Sequence, residues 1–369
     1  MSLTKDQAIH CASVFSNYFD RFERIDDYIR DQKLNSLSER PTALFGMGPE
    51  DDLFSDFTIN PSDMQFELVE LPQDTWDIYL NMISSHSNMT SIPGRCLRLA
   101  ILEKKTKKWV GFIRLGSPVI NMKPRNEMLD GVFTQTPESS KSFNHTSIMG
   151  FVIVPAQPFG FNYLGGKLLA AICCSHEIRE MLNKKYGMNT CLFETTSLYG
   201  SSKSSSQYDG MKPLLRFKGL TDSNFLPMMH GKPYEKDYVE GIVGEFVPAD
   251  ASSRKLKISN AIISMTKVAL KGTPEGEKFG KTIENALLLT EKKRYYASNY
   301  GFSNFTDVVM GRTDKLIPDK ENYDKHYLES IIEWWKKKAQ SRYDNLKTEG
   351  RLRSEIEVWT GDKELDIIR

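Results

Sequence analysis

From residue 147 to residue 220 the spacing of apolar positions changes from strand-like to helical and back. Residues 148–154 form a short, β-branched apolar run closed by Pro155, the pattern of a buried strand. A turn holding Gln157, Gly160 and Asn162 follows, then Gly165 and Gly166. Leu168, Leu169, Ile172, Ile178 and Leu182 recur at helical spacing and predict one helix, stopped at Tyr186-Gly187 where glycine supplies a left-handed cap. Residues 190–195 predict a second buried strand. Strand, glycine-bearing turn, helix and strand together predict a parallel βαβ unit.

The flanks carry weaker patterns. Thr4-Lys5-Asp6-Gln7 is a capping box, and Phe15, Tyr18, Phe19, Phe22, Ile25, Tyr28 and Ile29 continue it as one long helix. Residues 66–71 predict a strand, 75–84 a short helix, and 96–102 with 109–115 a hairpin. Residues 118–146 read as a long insertion, either a binding loop or a tolerated surface excursion. Residues 199–210 are serine-rich and predict a mobile loop. From Ala251 onward the stripes are helical, with a further helix over 327–347 and a closing strand over 356–360. The chain divides on this reading into 1–60, 61–250 and 251–369.

Composition is ordinary for a folded protein, with 40% hydrophobic and 26% charged residues among 369. A formal charge of +1 hides an asymmetry. Residues 1–70 hold 6 Lys/Arg against 14 Asp/Glu, net −8, and residues 251–369 hold 23 against 18, net +5. The basic part predicts either an internal partner for the acidic part or a phosphate-facing surface. Five cysteines without a C-x-x-C pair predict reduced, buried thiols and a cytoplasmic setting. Nothing in the sequence reads as a signal peptide or membrane span. The six histidines have no metal-ligand spacing.

Candidate chemistry gathers beyond the carboxyl ends of the two central strands, where open α/β sheets bind ligands. The Gly-bearing turn at a helix N-terminus suits an anion, since its backbone N–H groups are unpaired, though such a turn also serves packing alone. Glu194, set among apolar strand residues, reads either as a general base or as one half of an ion pair with Arg114, Arg125 or Arg216. Tyr199, Lys203, Tyr208 and Asp209 fall near it. Lys123 and Arg125 in the insertion, Lys203 in the serine-rich loop, and Lys292, Lys293 and Arg294 beside Tyr295-Tyr296 are bases placed, the last three among aromatics, in a way that suits nucleic acid. Solvated helix faces explain the same clusters.

Gln157-Pro158-Phe159-Gly160-Phe161-Asn162 resembles the Q/R-x-x-G-x-G/A pyrophosphate loop of GNAT acyltransferases. The stretch KKYGMNTCLFETTSLYG…MKPLLRFKGLT is similar to the family containing the DruA component of Druantia anti-phage systems, and more distantly to the Mom DNA-modification enzymes of phages. Asn162 stands where the loop has Gly or Ala, and Arg125-Asn126 where the DruA family has Arg-Asp. The resemblance implies a GNAT-like mixed α/β sheet with flanking helices, followed by a mainly helical C-terminal region. It implies acyl-CoA held by Val152, Val154, Gln157, Gly160, Asn162 and Gly165, and transfer to a base amine of nucleic acid with Glu194 as base and Tyr199 or Tyr208 as acid. Its rival is a non-catalytic interaction protein of phage defence, counter-defence or a virion on the same fold.

Overall fold

The computed structural model describes residues 3–39, 49–84, 94–129, 136–197, 206–221, 229, 254–289 and 292–359. Tyr199 and Lys203 lie outside them. Two compact units are present, both discontinuous in sequence: 1–32, 223–292 and 367–369 form the smaller, 33–222 and 293–366 the larger.

The larger unit is a mixed α/β structure on a seven-stranded sheet in the order β1-β2-β3-β4-β5-β7-β6. Its strands are β1 (Phe66–Glu70), β2 (Cys96–Glu103), β3 (Lys108–Gly116), β4 (Ser147–Pro155), β5 (Leu192–Thr196), β6 (Arg216–Leu220) and β7 (Arg294–Ser298). Every neighbouring pair is antiparallel except β4–β5, which is parallel as the βαβ pattern predicts. Among the described residues of both units the α-helices are, in chain order, α1 (Lys5–Phe19), α2 (Ile25–Glu39), α3 (Pro49–Asp52), α4 (Gln73–Ile83), α5 (Lys123–Met128), α6 (Pro137–Thr146) and α7 (Phe159–Tyr163). Then come α8 (Gly165–Ile172), α9 (His176–Tyr186), α10 (Arg254–Ala269), α11 (Pro274–Leu288), α12 (Phe305–Val309) and α13 (Leu328–Thr348).

The central strands read as continuous apolar runs because both sheet faces are covered. On one face Leu99, Ile113, Ile153 and Phe193 pack with Leu168, Leu169 and Ile172 of α8. On the other Ala100, Phe112 and Val152 pack with Trp76, Tyr79 and Leu80 of α4. The predicted long helix after Gly165 is two helices, broken where Ser175 caps α9 by accepting from the N–H of Ile178 at 3.2 Å. Gly187 does end it, at φ +63°. The closing strand expected over 356–360 is reduced to one bridge, Glu357 with Gln157.

In the smaller unit the capping box forms: the N–H of Gln7 donates to Thr4 Oγ1 at 3.3 Å, and the N–H of Thr4 to Gln7 Oε1 at 2.9 Å. The single long helix of the sequence reading stops at Phe19, and α2 begins at Ile25. Phe15 and Phe19 share a core with Ile258, Ile262, Phe279 and Ile283 of α10 and α11.

Candidate functional site: the strand fork

The parallel ladder between β4 and β5 ends at Gly150 and Thr195, although β4 runs on to Pro155. Arg114 of β3 pairs with Val152 and Leu115 with Gly150, so Phe151 is an extra residue in β4. Such a bulge bends its strand and increases local twist. Thr195 closes the base of the fork, its Oγ1 donating to Gly150 O at 3.0 Å.

Successive side chains of a strand point to opposite faces, so Tyr295 and Tyr296 of β7 serve two separate polar groups. The first contains Glu194. Arg125 Nη1 donates to Glu194 Oε1 at 2.7 Å, the Tyr295 hydroxyl donates to Oε2 at 3.2 Å, and both charged side chains are 0% exposed. Arg125 also donates to Ile120 O at 2.6 Å and lies 4.4 Å from the Phe143 ring centroid. Burial pushes the Glu194 carboxyl above its usual range, against the pull of Arg125. Arg125, expected to face phosphate, therefore offers no charge to solvent; its partner is the carboxylate expected to act as base. Of the three arginines weighed for that pair, Arg125 is the one bonded to Glu194.

The second group lies on the other face. Asp209 Oδ1 accepts from the Tyr296 hydroxyl at 2.9 Å and from Arg294 Nη2 at 3.0 Å. Asp209 Oδ2 accepts from the Ser206 N–H at 2.9 Å. Although partial burial opposes it, these bonds hold the Asp209 carboxyl below its usual range. Arg294 also lies over the exposed Phe217 ring at 4.7 Å. Tyr208 is buried edge-on to Tyr296 at 5.3 Å, and burial pushes its hydroxyl up to about 12.

The glycine turn is closely filled. A Cβ on Gly160 would sit 2.6 Å from Gln157 Nε2, and one on Gly165 2.8 Å from Phe159 Cδ1. Over the first turn of α8, Gln207 Oε1 stands where a Cβ on Gly166 would need to be. Lys167 donates to the carbonyls of Gln207 and Asp209, which fixes that loop against the helix. Gln157 Oε1 accepts from the Phe161 N–H at 3.1 Å. Asn162 is wholly buried, donating to Arg353 O at 2.8 Å and accepting from the Arg353 N–H at 3.1 Å. Phe159 lies in the core against Phe54, Phe66 and Trp335. Val152 and Val154 pair with Arg114 and Phe112 on β3.

The remaining expected phosphate contacts do not share one setting. Lys123 is exposed, 3.9 Å from Glu127, and Lys292 is exposed in the other unit. Lys293 is half-buried, and burial lowers its pKa. The sequence reading missed Tyr295 and Tyr296 as partners of the two carboxylates because it did not recognise β7. His176 is buried, with its Nε2 3.0 Å from Tyr323 O and its Nδ1 without a hydrogen-bond partner among the described residues. Among the described residues no cluster of three potential metal ligands occurs. No described helix is long and apolar enough to cross a membrane.

The segment carrying the fork and the Arg125–Glu194 pair also decides the comparison with known proteins. Residues 51–203 match the family model of the Druantia protein DruA. The DruA-like segment thus holds β1 to β5, and stops short of Gln207, Asp209 and β7. No curated protein and no solved structure matches the chain.

Proposed function

We propose that this protein is a DruA-type component of an anti-phage defence system, a non-catalytic interaction protein whose strand fork is a structural frame and not a transfer centre. The observation that carries this reading is the wholly buried Arg125–Glu194–Tyr295 set. A general base needs reach to the proton it takes, and here both carboxylate oxygens are engaged within the core. Arg353 likewise engages the polar side chain of Asn162 within the chain itself, and Gln207 stands over Gly166.

Phage plating efficiency in the native host, with wild-type and variant chains, tests the defence role; equal plating with and without the gene would end it. Calorimetry with acetyl-CoA tests the frame. No binding is expected, either for the wild type or for Gln207→Ala, which uncovers the first turn of α8.

A second reading, acyl transfer to a base amine, is favoured by the early end of the β4–β5 ladder beside the Phe151 bulge. There a thioester carbonyl would meet free backbone N–H groups of β4. Saturable acetyl-CoA binding that strengthens in Gln207→Ala would select it over the first.

A further inference from the structure

On the α4 face of the sheet, Arg98 of β2 and Arg114 of β3 are direct cross-strand partners. Like charges opposed in this way repel, and the ladder gains nothing from them. Arg114 is 7% exposed, beneath Trp76, with its guanidinium carbon 6.0 Å from the indole centroid. Among the described residues it makes no hydrogen bond and no ion pair, and the Nε atoms of both arginines are buried without a partner. Arg98 is half-buried above it, its Nη2 donating to the neutral Oε1 of Gln73 at 3.0 Å. Cys96 and Asp77 reach Arg114 through the electrostatic field, without a bond to it. A desolvated guanidinium with no counter-ion is among the costliest groups a core can hold.

We propose that Arg98 and Arg114 form an anion site that takes a phosphoryl group, with Arg114 as floor and Arg98 as mouth. The chemistry selects phosphate over carboxylate. Two guanidinium forks need more acceptor oxygens than a carboxylate has once one fork is bidentate, whereas a phosphoryl group presents three. A phosphomonoester also carries nearly two negative charges, matching two cations. Trp76 is itself fixed, its Nε1 donating to Leu99 O at 3.2 Å, so the wall behind the floor arginine is rigid. The site involves neither Glu194 nor the glycine turn, so it stands whichever reading of the fork holds.

The test is thermal melting of the full chain in inorganic phosphate against chloride at matched ionic strength. Phosphate should raise the wild-type midpoint by several degrees, saturably, as expected for a ligand that binds only the folded state. Arg114→Met should melt higher than wild type in chloride and lose the phosphate response; Arg98→Gln should also lose the response. Should Arg114→Met not fold, Arg98→Gln at the mouth decides alone. A wild type indifferent to phosphate, or the same response in the foldable variants, overturns the site. Competition by an oligonucleotide with a 5′-phosphate, but not by its unphosphorylated twin, assigns the phosphoryl group to a nucleic-acid end. Displacement by inorganic phosphate alone assigns it to a small free anion.

Discussion

Arg125 and Glu194 meet at 2.7 Å with no part of either side chain in contact with solvent. They are 69 residues apart in sequence and join the helix after β3 to the second strand of the parallel pair. Removing one partner of such a pair leaves the other charged and desolvated. Glu194→Gln is therefore expected to cost about 3–5 kcal/mol of stability. The double variant Arg125→Met with Glu194→Leu should recover most of it. Chemical denaturation of the three proteins checks this; a Glu194→Gln variant as stable as wild type would remove the pair from the stability account.

His326 is wholly buried, its Nδ1 2.8 Å from Cys174 O, and burial pushes its pKa down to about 4 from 6.5. His176 beside it and Arg216 add to the shift, and Asp319 opposes it. Between pH 6.5 and 4 the unfolded chain therefore binds the proton and the folded chain does not, so stability falls as pH falls. The loss is about 3 kcal/mol across that window and stops below it. His326→Gln, which cannot titrate there, should flatten this part of the melting profile. An unchanged slope would assign the acid sensitivity to other groups.

Lys33 is wholly buried, bonded to Asn81 O and Oδ1, and desolvation lowers its pKa to about 7 from 10.5. The unfolded chain holds more protons between pH 7 and 10.5, so this group makes stability rise with pH across that window. Lys33→Met should melt higher than wild type at pH 7, with the difference shrinking toward pH 10. A variant that melts lower at pH 7 would mean that the two Asn81 bonds outweigh the desolvation.

Asn162, itself wholly buried, fastens the exposed segment at Arg353 to the turn before α8 by two part-buried bonds. Asn162→Ala removes both bonds, at about 0.5–1.5 kcal/mol for each hydrogen bond lost. Limited proteolysis should cut the variant earlier near residue 353, and equal cutting rates would count against the clasp.

Much of the larger unit was legible because its strands and helices keep one period over their length. The β4–β5 unit, the hairpin and the Gly187 cap follow from local spacing. β7 was hidden: Tyr295 and Tyr296 are both buried on opposite faces, so the strand shows no alternation, and its basic preface resembles a solvated helix. The break at Ser175 was available in principle, since a serine three residues before Ile178 is an N-cap signal, but the apolar stripe ran across it. The clasp of Arg353 on Asn162 and the pairing of Arg125 with Glu194 depend on which distant elements meet. No local period encodes that.

β6 and β7 are antiparallel neighbours, and Thr221 and Lys293 exchange bonds at their shared end, Thr221 N–H to Lys293 O at 3.0 Å and Lys293 N–H to Thr221 Oγ1 at 2.8 Å. The chain between them, residues 223–292, belongs to the smaller unit together with α1. During synthesis this sets a long wait. Phe15 of α1 finds its ring contact with Phe279, and Ser16 its hydroxyl partner Thr282, 266 residues further on, only once α11 has left the ribosome. Until then the face of α1 that meets α11 stays uncovered, with only Ile258 and Ile262 of α10 already made to pack against it.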